Sequence, residues 1–508
     1  MIPRPDVTAI AIIHLPLHPN IMSQTHNASG LEPTDTIIFF ENDTLTWETP
    51  DKSTTTSIPL NALVTILPPP DSGSDANGAA YTALYLDSPT DHNSNNGNDI
   101  SEDTRLRTAS IPLSNLKENP ALDSELQRYI LPRLPAHLDA LDSTGSATPV
   151  EIHIVISVLA GTKKGVSFFE NALRPLFAKL NVSAYKVHRT ESANTITELC
   201  EHIFVPRARD GVRQTVILLS GDGGVIDVIK VFSEAYEGRD SREDGFVPPT
   251  LCTIPMGTGN ATANSTAPEN DGTLGLATLV RGGVRTLSTF RVTLAPGAAH
   301  LVEEGMRKEA IPESKDGVGH VYGAVVVSWG MHASLVADSD TAEYRKYGVD
   351  RFKMAAKELL WPADGSGTHR YRGKVRLTVK GEDGNLETFD VNRSEHMYVL
   401  ITLVPQLERG FTISPASKSL DGQLRIVHFG PLTPERAMGL MDLAYQGGKH
   451  VEEPEVGYTA VEKVRIEFEE EEERWRRACV DGKIVLVPRD GWIEVERDER
   501  GLLGVLVA

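Results

Sequence analysis

The chain has 508 residues, 40% of them hydrophobic and 24% charged, with a formal net charge of −20. Those proportions belong to a globular chain of two or three domains. The acid excess argues against a nucleic-acid partner, whose phosphates require a basic face, and no apolar run approaches the ~20 residues needed to cross a bilayer. Cys200, Cys252 and Cys479 are too few to staple a domain, and their spacing fits no zinc site, so no protein-held metal is expected. The start, Met1-Ile-Pro-Arg-Pro-Asp, lacks the apolar stretch of a secretory signal, which points to a reduced, cytoplasmic protein.

The first region, residues 1–145, reads as short strands closed by a helix. Thr36–Phe40, Thr44–Trp47, Ala62–Ile66, Tyr81–Tyr85 and Arg107–Ile111 are rich in β-formers and bounded by turn residues. Leu122–Leu131 has apolar residues at helical spacing, with Asp123 or Ser124 as cap. This order suggests a regulatory module like a pleckstrin-homology (PH) domain. Residues 68–105 include proline-, serine- and asparagine-rich stretches and read as a disordered loop. From Glu151 to about Arg285 strands and helices alternate, which implies an α/β domain (149–285) around a parallel sheet. From 286 to 508 β-type runs dominate, interrupted by helical intervals at 341–360 and 434–446, and Gly297–Gly319 reads as a mobile insertion. The expected fold class is therefore α/β followed by all-β.

Two loops in the α/β region carry the chemistry. Ser220-Gly221-Asp222-Gly223-Gly224 follows the apolar run Thr215–Leu219 and precedes a helical Val225–Ile229. Leu251–Pro255 likewise leads into Met256-Gly257-Thr258-Gly259-Asn260. Strand, glycine turn and helix start place free backbone N–H groups at the carboxyl end of a sheet, where phosphates bind. Glycines at strand ends also serve as plain turns. Common nucleotide motifs fail: G-x-G-x-x-G would need glycine at Ile226 or Thr262, and no G-x-x-x-x-G-K-[ST] loop occurs.

Taken together, Ser220-Gly-Asp-Gly223 and Pro255-Met-Gly257-Thr258-Gly259-Asn260 resemble the catalytic domain of the diacylglycerol, ceramide and sphingosine kinases, with its G/S-G-D-G and P-x-G-[ST]-G-N loops. Phe169–Phe177 is similar to the family's first helix, and Tyr185–Leu199 to its threonine-bearing segment. Ser328-Trp329-Gly330, Tyr344–Phe352 and Cys479-Val480-Asp481-Gly482 resemble the sphingosine and ceramide kinase branch. The resemblance spans about Pro149 to Val495 and implies a nucleotide domain followed by a lipid-holding β-sandwich, with the active site in the cleft.

It further implies ATP with Mg²⁺ and a lipid alcohol, a sphingoid long-chain base foremost, drawn from intracellular membranes by transient peripheral contact. Phe352–Trp361 is a candidate apolar lip, with core packing as the plainer reading. Asp222 would be the general base, or else a helix cap. Gly221, Gly223, Gly224, Gly257, Thr258 and Gly259 would cradle phosphates with Ser220 and Thr190, and Asn260 would pin the second loop to the first. Asp227 is a water-mediated magnesium ligand or a cap, Asp481 an acid near the nucleotide, and Arg345 and Arg351 are phosphate-binding forks or solvated helix residues.

The pattern departs in four places. The family's N-P-x-[GS]-G loop reads Ser157-Val-Leu-Ala160-Gly161-Thr162-Lys163-Lys164 here, leaving Gly161, Thr162 and Lys164 as its nucleotide contacts. Asp227 and Lys483 each stand where the family has glutamate. The lipid-reading aspartate position holds Ser334, with Asp338 and Asp340 as replacements. The alternatives are therefore a non-catalytic lipid sensor, a diacylglycerol or ceramide kinase, and, more remotely, an NAD or sugar kinase. Oligomeric state is not legible.

Overall fold

The computed structural model describes residues 37–41, 43–48, 55–69, 80–87, 101–112, 125–139, 149–158, 161, 163–236, 245–268, 270–348 and 350–508. These fall into two compact units, one within Met1–Leu86 and Arg107–Pro132, the other within Asp87–Leu106 and Arg133–Ala508.

The first unit holds two three-stranded sheets. One is Ile37–Glu41, Thr44–Glu48 and Thr55–Pro59; the other is Leu63–Leu67, Ala80–Asp87 and Arg105–Pro112. Leu45, Trp47, Ile58, Leu63, Ile66, Ala83, Ile111 and Leu126 form its core. Thr55–Pro59 escaped the sequence reading because only Ile58 of its five residues is buried and the rest read as polar turn. Ala80–Asp87 lies inside the span expected to be a disordered loop. The expected Leu122–Leu131 helix shrinks to 125–127 among the described residues, and Asp123 and Ser124 lie outside them. The β-favouring run Tyr129-Ile130-Leu131 instead bonds to Ile66, through Ile66 N–H to Tyr129 O and Leu131 N–H to Ile66 O, both 2.8 Å.

In the second unit Gln214–Ser220 is buried at every position, as suits the centre of a parallel sheet covered on both faces. The order is Gly283–Thr286, Gly504–Val507, Thr250–Pro255, Gln214–Ser220, Glu151–Ile156, Lys186–Arg189, all parallel except the first pair. Gly504–Val507 corrects the assignment of 286–508 wholly to the β region. Its Val505 and Leu506 are buried in this sheet, and Val505 packs with Val216, Leu218, Ile229 and Phe232.

Two antiparallel sheets follow. The first runs Gly319–Gly323, Thr289–Leu294, Trp492–Asp498, Lys463–Phe468, Tyr371–Lys380, Leu386–Asp390, with Glu395–His396 beside Tyr371. The other runs Arg307–Ala310, Ala299–Val302, Lys483–Leu486, Arg477–Val480, Val326–Gly330, Tyr398–Thr402, Leu424–Phe429, Gly457–Val461. The expected mobile insertion is thus partly a paired hairpin at a sheet edge, Ala299–Val302 with Arg307–Ala310. One core takes Phe290, Val292, Ile466 and Ile493 from one sheet and Trp329, Val399, Ile426 and Val485 from the other.

Strand alternation sends neighbouring side chains the opposite way. Val326, Tyr398, Leu400, Val427 and Phe429 meet the helices Met331–Ser339, Asp350–Leu360 and Pro434–Ala444 through Met331, Leu359, Leu360, Ala437 and Leu440. That second layer builds the wall of the site.

Candidate active site

The glycine loops touch backbone to backbone. A β-carbon on Gly221 would stand 2.9 Å from the Cα of Gly257, and one on Gly161 would stand 2.4 Å from the carbonyl oxygen of Met256. Gly223 differs: nothing lies within 4 Å of its missing β-carbon, and it lines the cavity described below. Gly224 packs inward against Ser220 and Ile196. Buried Ser220 accepts a hydrogen bond from the Ser157 hydroxyl at 3.0 Å.

Helix Asp222–Ala235 starts at Asp222, with Gly221 as an N-cap lacking any side-chain hydrogen bond. First-turn N–H groups there face the loop, with the helix dipole behind them. The Asp222 carboxylate does not cap its own helix. It accepts from the N–H of Ala261 at 2.8 Å and of Thr262 at 2.9 Å, and so caps Ala261–Thr266. Burial raises its pKa above the ordinary value, opposed by those bonds. Asn260, at a φ of 55°, closes on its own loop: its side-chain oxygen accepts from Gly257 N–H at 2.8 Å and its amide donates to Gly257 O at 2.9 Å. The tie between the two loops is therefore made by Asp222, not by Asn260 as expected, because left-handed Asn260 folds its side chain back.

Asp481 and Gly482 form the two-residue tip joining Arg477–Val480 to Lys483–Leu486, with φ of 48° and 82°. Positive φ at both residues is what a tight hairpin requires. The Asp481 carboxylate receives the N–H groups of Ala324 (2.7 Å), Val325 (3.1 Å) and Val326 (2.5 Å). Burial lifts its pKa to about 7, against those hydrogen bonds and with a push from Asp222. Lys483 donates to Asp227 at 2.7 Å.

A cavity of about 540 Å³ joins these parts. Asp222, Gly223, Thr258, Gly259, Asp481, Gly482 and Lys483 line it beside apolar Leu335, Val336, Phe352, Tyr398, Phe411 and Met441. A polar, glycine-walled patch and a large apolar wall in one cavity suit a phosphate donor meeting a lipid.

Residues 151–292 match the family model for the diacylglycerol kinase catalytic domain. That stretch is similar to the catalytic domain of a lipid kinase. Two solved structures from Bacillus anthracis str. Sterne are similar. One, provisionally assigned as a diacylglycerol kinase, is 14% identical, with 70% of this chain and 97% of that chain covered and a TM-score of 0.45. The other, described as a diacylglycerol kinase, is 13% identical at the same coverage, with a TM-score of 0.42. No curated protein matches the sequence.

The diacylglycerol kinase domain supplies the glycine loops and Asp222, and later segments supply the remaining cavity wall. Thr190, at the end of the strand beside Glu151–Ile156, accepts from Val158 N–H at 3.1 Å. Gly161 abuts the second loop, Lys164 precedes the helix starting at Gly165, and Thr162 lies outside the described residues. Arg351 lines the cavity, 3.6 Å from Asp340, which lines it too. The Arg345 side chain lies outside the described residues. Of the lipid-reading candidates, Ser334 and Asp338 are not among the lining residues. Ser334 is buried beneath the helix with Tyr371 donating to it at 2.8 Å, and Asp338 pairs with Arg474 and Arg477. Sequence reading missed His332, whose pKa burial lowers to about 4, and Glu408, whose pKa burial raises while the Tyr445 hydroxyl donates to it. Nothing in their local sequence distinguishes them from ordinary core and hairpin residues.

Among the described residues no three metal-ligating side chains gather, and Asp227 is already paired with Lys483. No helix among the described residues is long and apolar enough to cross a membrane.

Proposed function

We propose that the protein transfers the terminal phosphoryl group of ATP to the primary hydroxyl of a lipid, with a sphingoid long-chain base as the leading acceptor. The observation that carries this reading is the shared cavity, which Asp222, Gly223 and Thr258 line together with apolar Leu335, Val336, Phe352 and Met441. Asp222 takes the hydroxyl proton. Each of its oxygens receives one backbone N–H, leaving lone pairs for a substrate, and a pKa raised by burial makes it a stronger base than a free carboxylate. Gly223, Thr258, Gly259 and Arg351 hold the phosphates, and positioning with charge stabilisation supplies most of the rate. Any Mg²⁺ arrives on the triphosphate.

A sphingoid base carries an ammonium group beside its hydroxyl, and the cavity offers acids at Asp340, Glu408 and Asp442. The family match supports a second reading, diacylglycerol as acceptor, in which those acids meet no cation of the substrate. The β region serves as a lipid-holding sandwich and the first unit as a PH-like regulatory module. Labelled Mg-ATP offered with sphingosine, dihydrosphingosine, ceramide and diacylglycerol, with Asp222→Asn alongside, tests this. Phosphate is expected on a long-chain base and lost in the variant. ATP binding with no transfer to any lipid would leave a lipid sensor.

A further inference from the structure

The two positions at which the sequence departs from the family's glutamates lie 256 residues apart and meet in space as the Lys483–Asp227 ion pair. Lys483 follows the Asp481-Gly482 tip, and three backbone N–H groups hold Asp481 in place. Its ammonium group is thus fixed from two sides, by a clamped hairpin and by a carboxylate on helix Asp222–Ala235. Asp227 is more buried than Lys483, at 18% against 37% side-chain exposure. The pair therefore turns its positive member toward the cavity, where Lys483 is a lining residue with Asp222, Gly223 and Thr258, and Asp227 is not. Three cationic side chains line the cavity among the described residues. Arg351 lies 3.6 Å from Asp340 and Lys353 lies 3.8 Å from Asp350, on or beside the Asp350–Leu360 helix. Lys483 alone of the three comes from the Asp481 hairpin.

Building on the lipid kinase reading, we infer that Lys483 is the cation that meets the transferred phosphoryl group, and that Asp227 is its positioning residue. An ammonium group has three donors, so one bond to Asp227 leaves two for phosphate oxygens. A charge fixed before the reaction stabilises the spread negative charge of the transition state without reorganising. This assigns a role to a lysine in place of the glutamate that the resemblance leads one to expect.

Direct titration of the full chain with ATP and with ADP tests the inference without any lipid. The wild type is expected to bind ATP more tightly than ADP. Lys483→Met should weaken ATP by about tenfold or more and ADP by less than about threefold, the loss of one charge-assisted contact. Lys483→Arg should restore most of the difference. Asp227→Asn should also weaken ATP more than ADP, in the same direction as Lys483→Met and by a smaller factor. If Lys483→Met does not fold, Lys483→Gln carries the same comparison. Unchanged ATP binding in a folded variant, or equal loss of both nucleotides, overturns the inference while leaving the kinase reading intact. A wild type that binds no nucleotide overturns the kinase reading beneath it.

Discussion

The Cα of Gly221 lies 2.5 Å from the point where a β-carbon on Gly257 would stand. The two glycine loops thus pack at glycine contact, and Asn260 Oδ1 closes the same space at 2.9 Å. A methyl group there forces the loops apart. Gly257→Ala should destabilise by about 1–3 kcal/mol, the usual cost of overpacking, and should weaken ATP binding as well. Gly223→Ala offers the contrast, since nothing lies within 4 Å of its β-position although it lines the cavity. Its stability should stay within about 0.5 kcal/mol of wild type while ATP affinity falls. Urea unfolding beside nucleotide titration checks both, and unchanged ATP affinity in a stable Gly223→Ala variant would show that Gly223 does not face the phosphates.

The pH dependence of transfer should report Asp222. Burial raises its pKa, and a base works only when ionised, so activity falls as pH drops through that raised value. The acidic limb of kcat/KM should therefore lie above the ordinary carboxylate range near ~4. Asp222→Asn should cost at least about a hundredfold, the scale of a general base. Because the side chain also caps Ala261–Thr266, the variant's melting temperature must be measured too. A limb at the ordinary carboxylate value would remove Asp222 from the role.

Asp481 gives a stability signature of definite sign. Its folded pKa of about 7 stands above its ordinary 3.8, so between those values the folded protein keeps a proton that the unfolded chain has released. Its contribution to stability is full below 3.8 and is lost as pH rises through about 7. Asp481→Asn removes the titration, and asparagine tolerates the φ of 48°. From pH 5 to 8 the wild-type melting temperature should fall relative to the variant's. Parallel curves would mean that the three backbone N–H groups hold the carboxylate ionised throughout.

The place of Asp222 was legible because its whole motif is one contiguous strand, turn and helix, and the apolar run before it is buried at every position. The rest of the site was not local. Lys483 reads as a departure from a pattern until the fold brings it to Asp227, and Glu408 reads as an ordinary hairpin residue until Tyr445 covers it. Trp329, part of a motif that suggested the lipid side, is buried in the β core with its indole donating to Trp475 O at 3.0 Å. Gly504–Val507 was misassigned because a short apolar run can mark a strand without naming its sheet.

The helix Asp350–Leu360 divides its residues in a way that bears on how lipid enters. Phe352 and Ala356 line the cavity and Leu359 and Leu360 are buried, whereas Met354 and Trp361 are 36% and 43% exposed, and neighbouring Tyr347 is 53% exposed. Core packing and exposed apolar side chains therefore both occur, on different faces. If the cavity takes lipid as proposed, a surface set of aromatic and thioether side chains beside it suits shallow insertion among headgroups. Met354→Ser with Trp361→Ser should reduce sedimentation with phosphatidylcholine–phosphatidylserine vesicles about threefold or more, since each side chain buries apolar surface worth ~1–2 kcal/mol. Transfer to a water-soluble short-chain acceptor should stay near wild type, because neither residue lines the cavity. Equal loss with the soluble acceptor would return both side chains to a purely structural role.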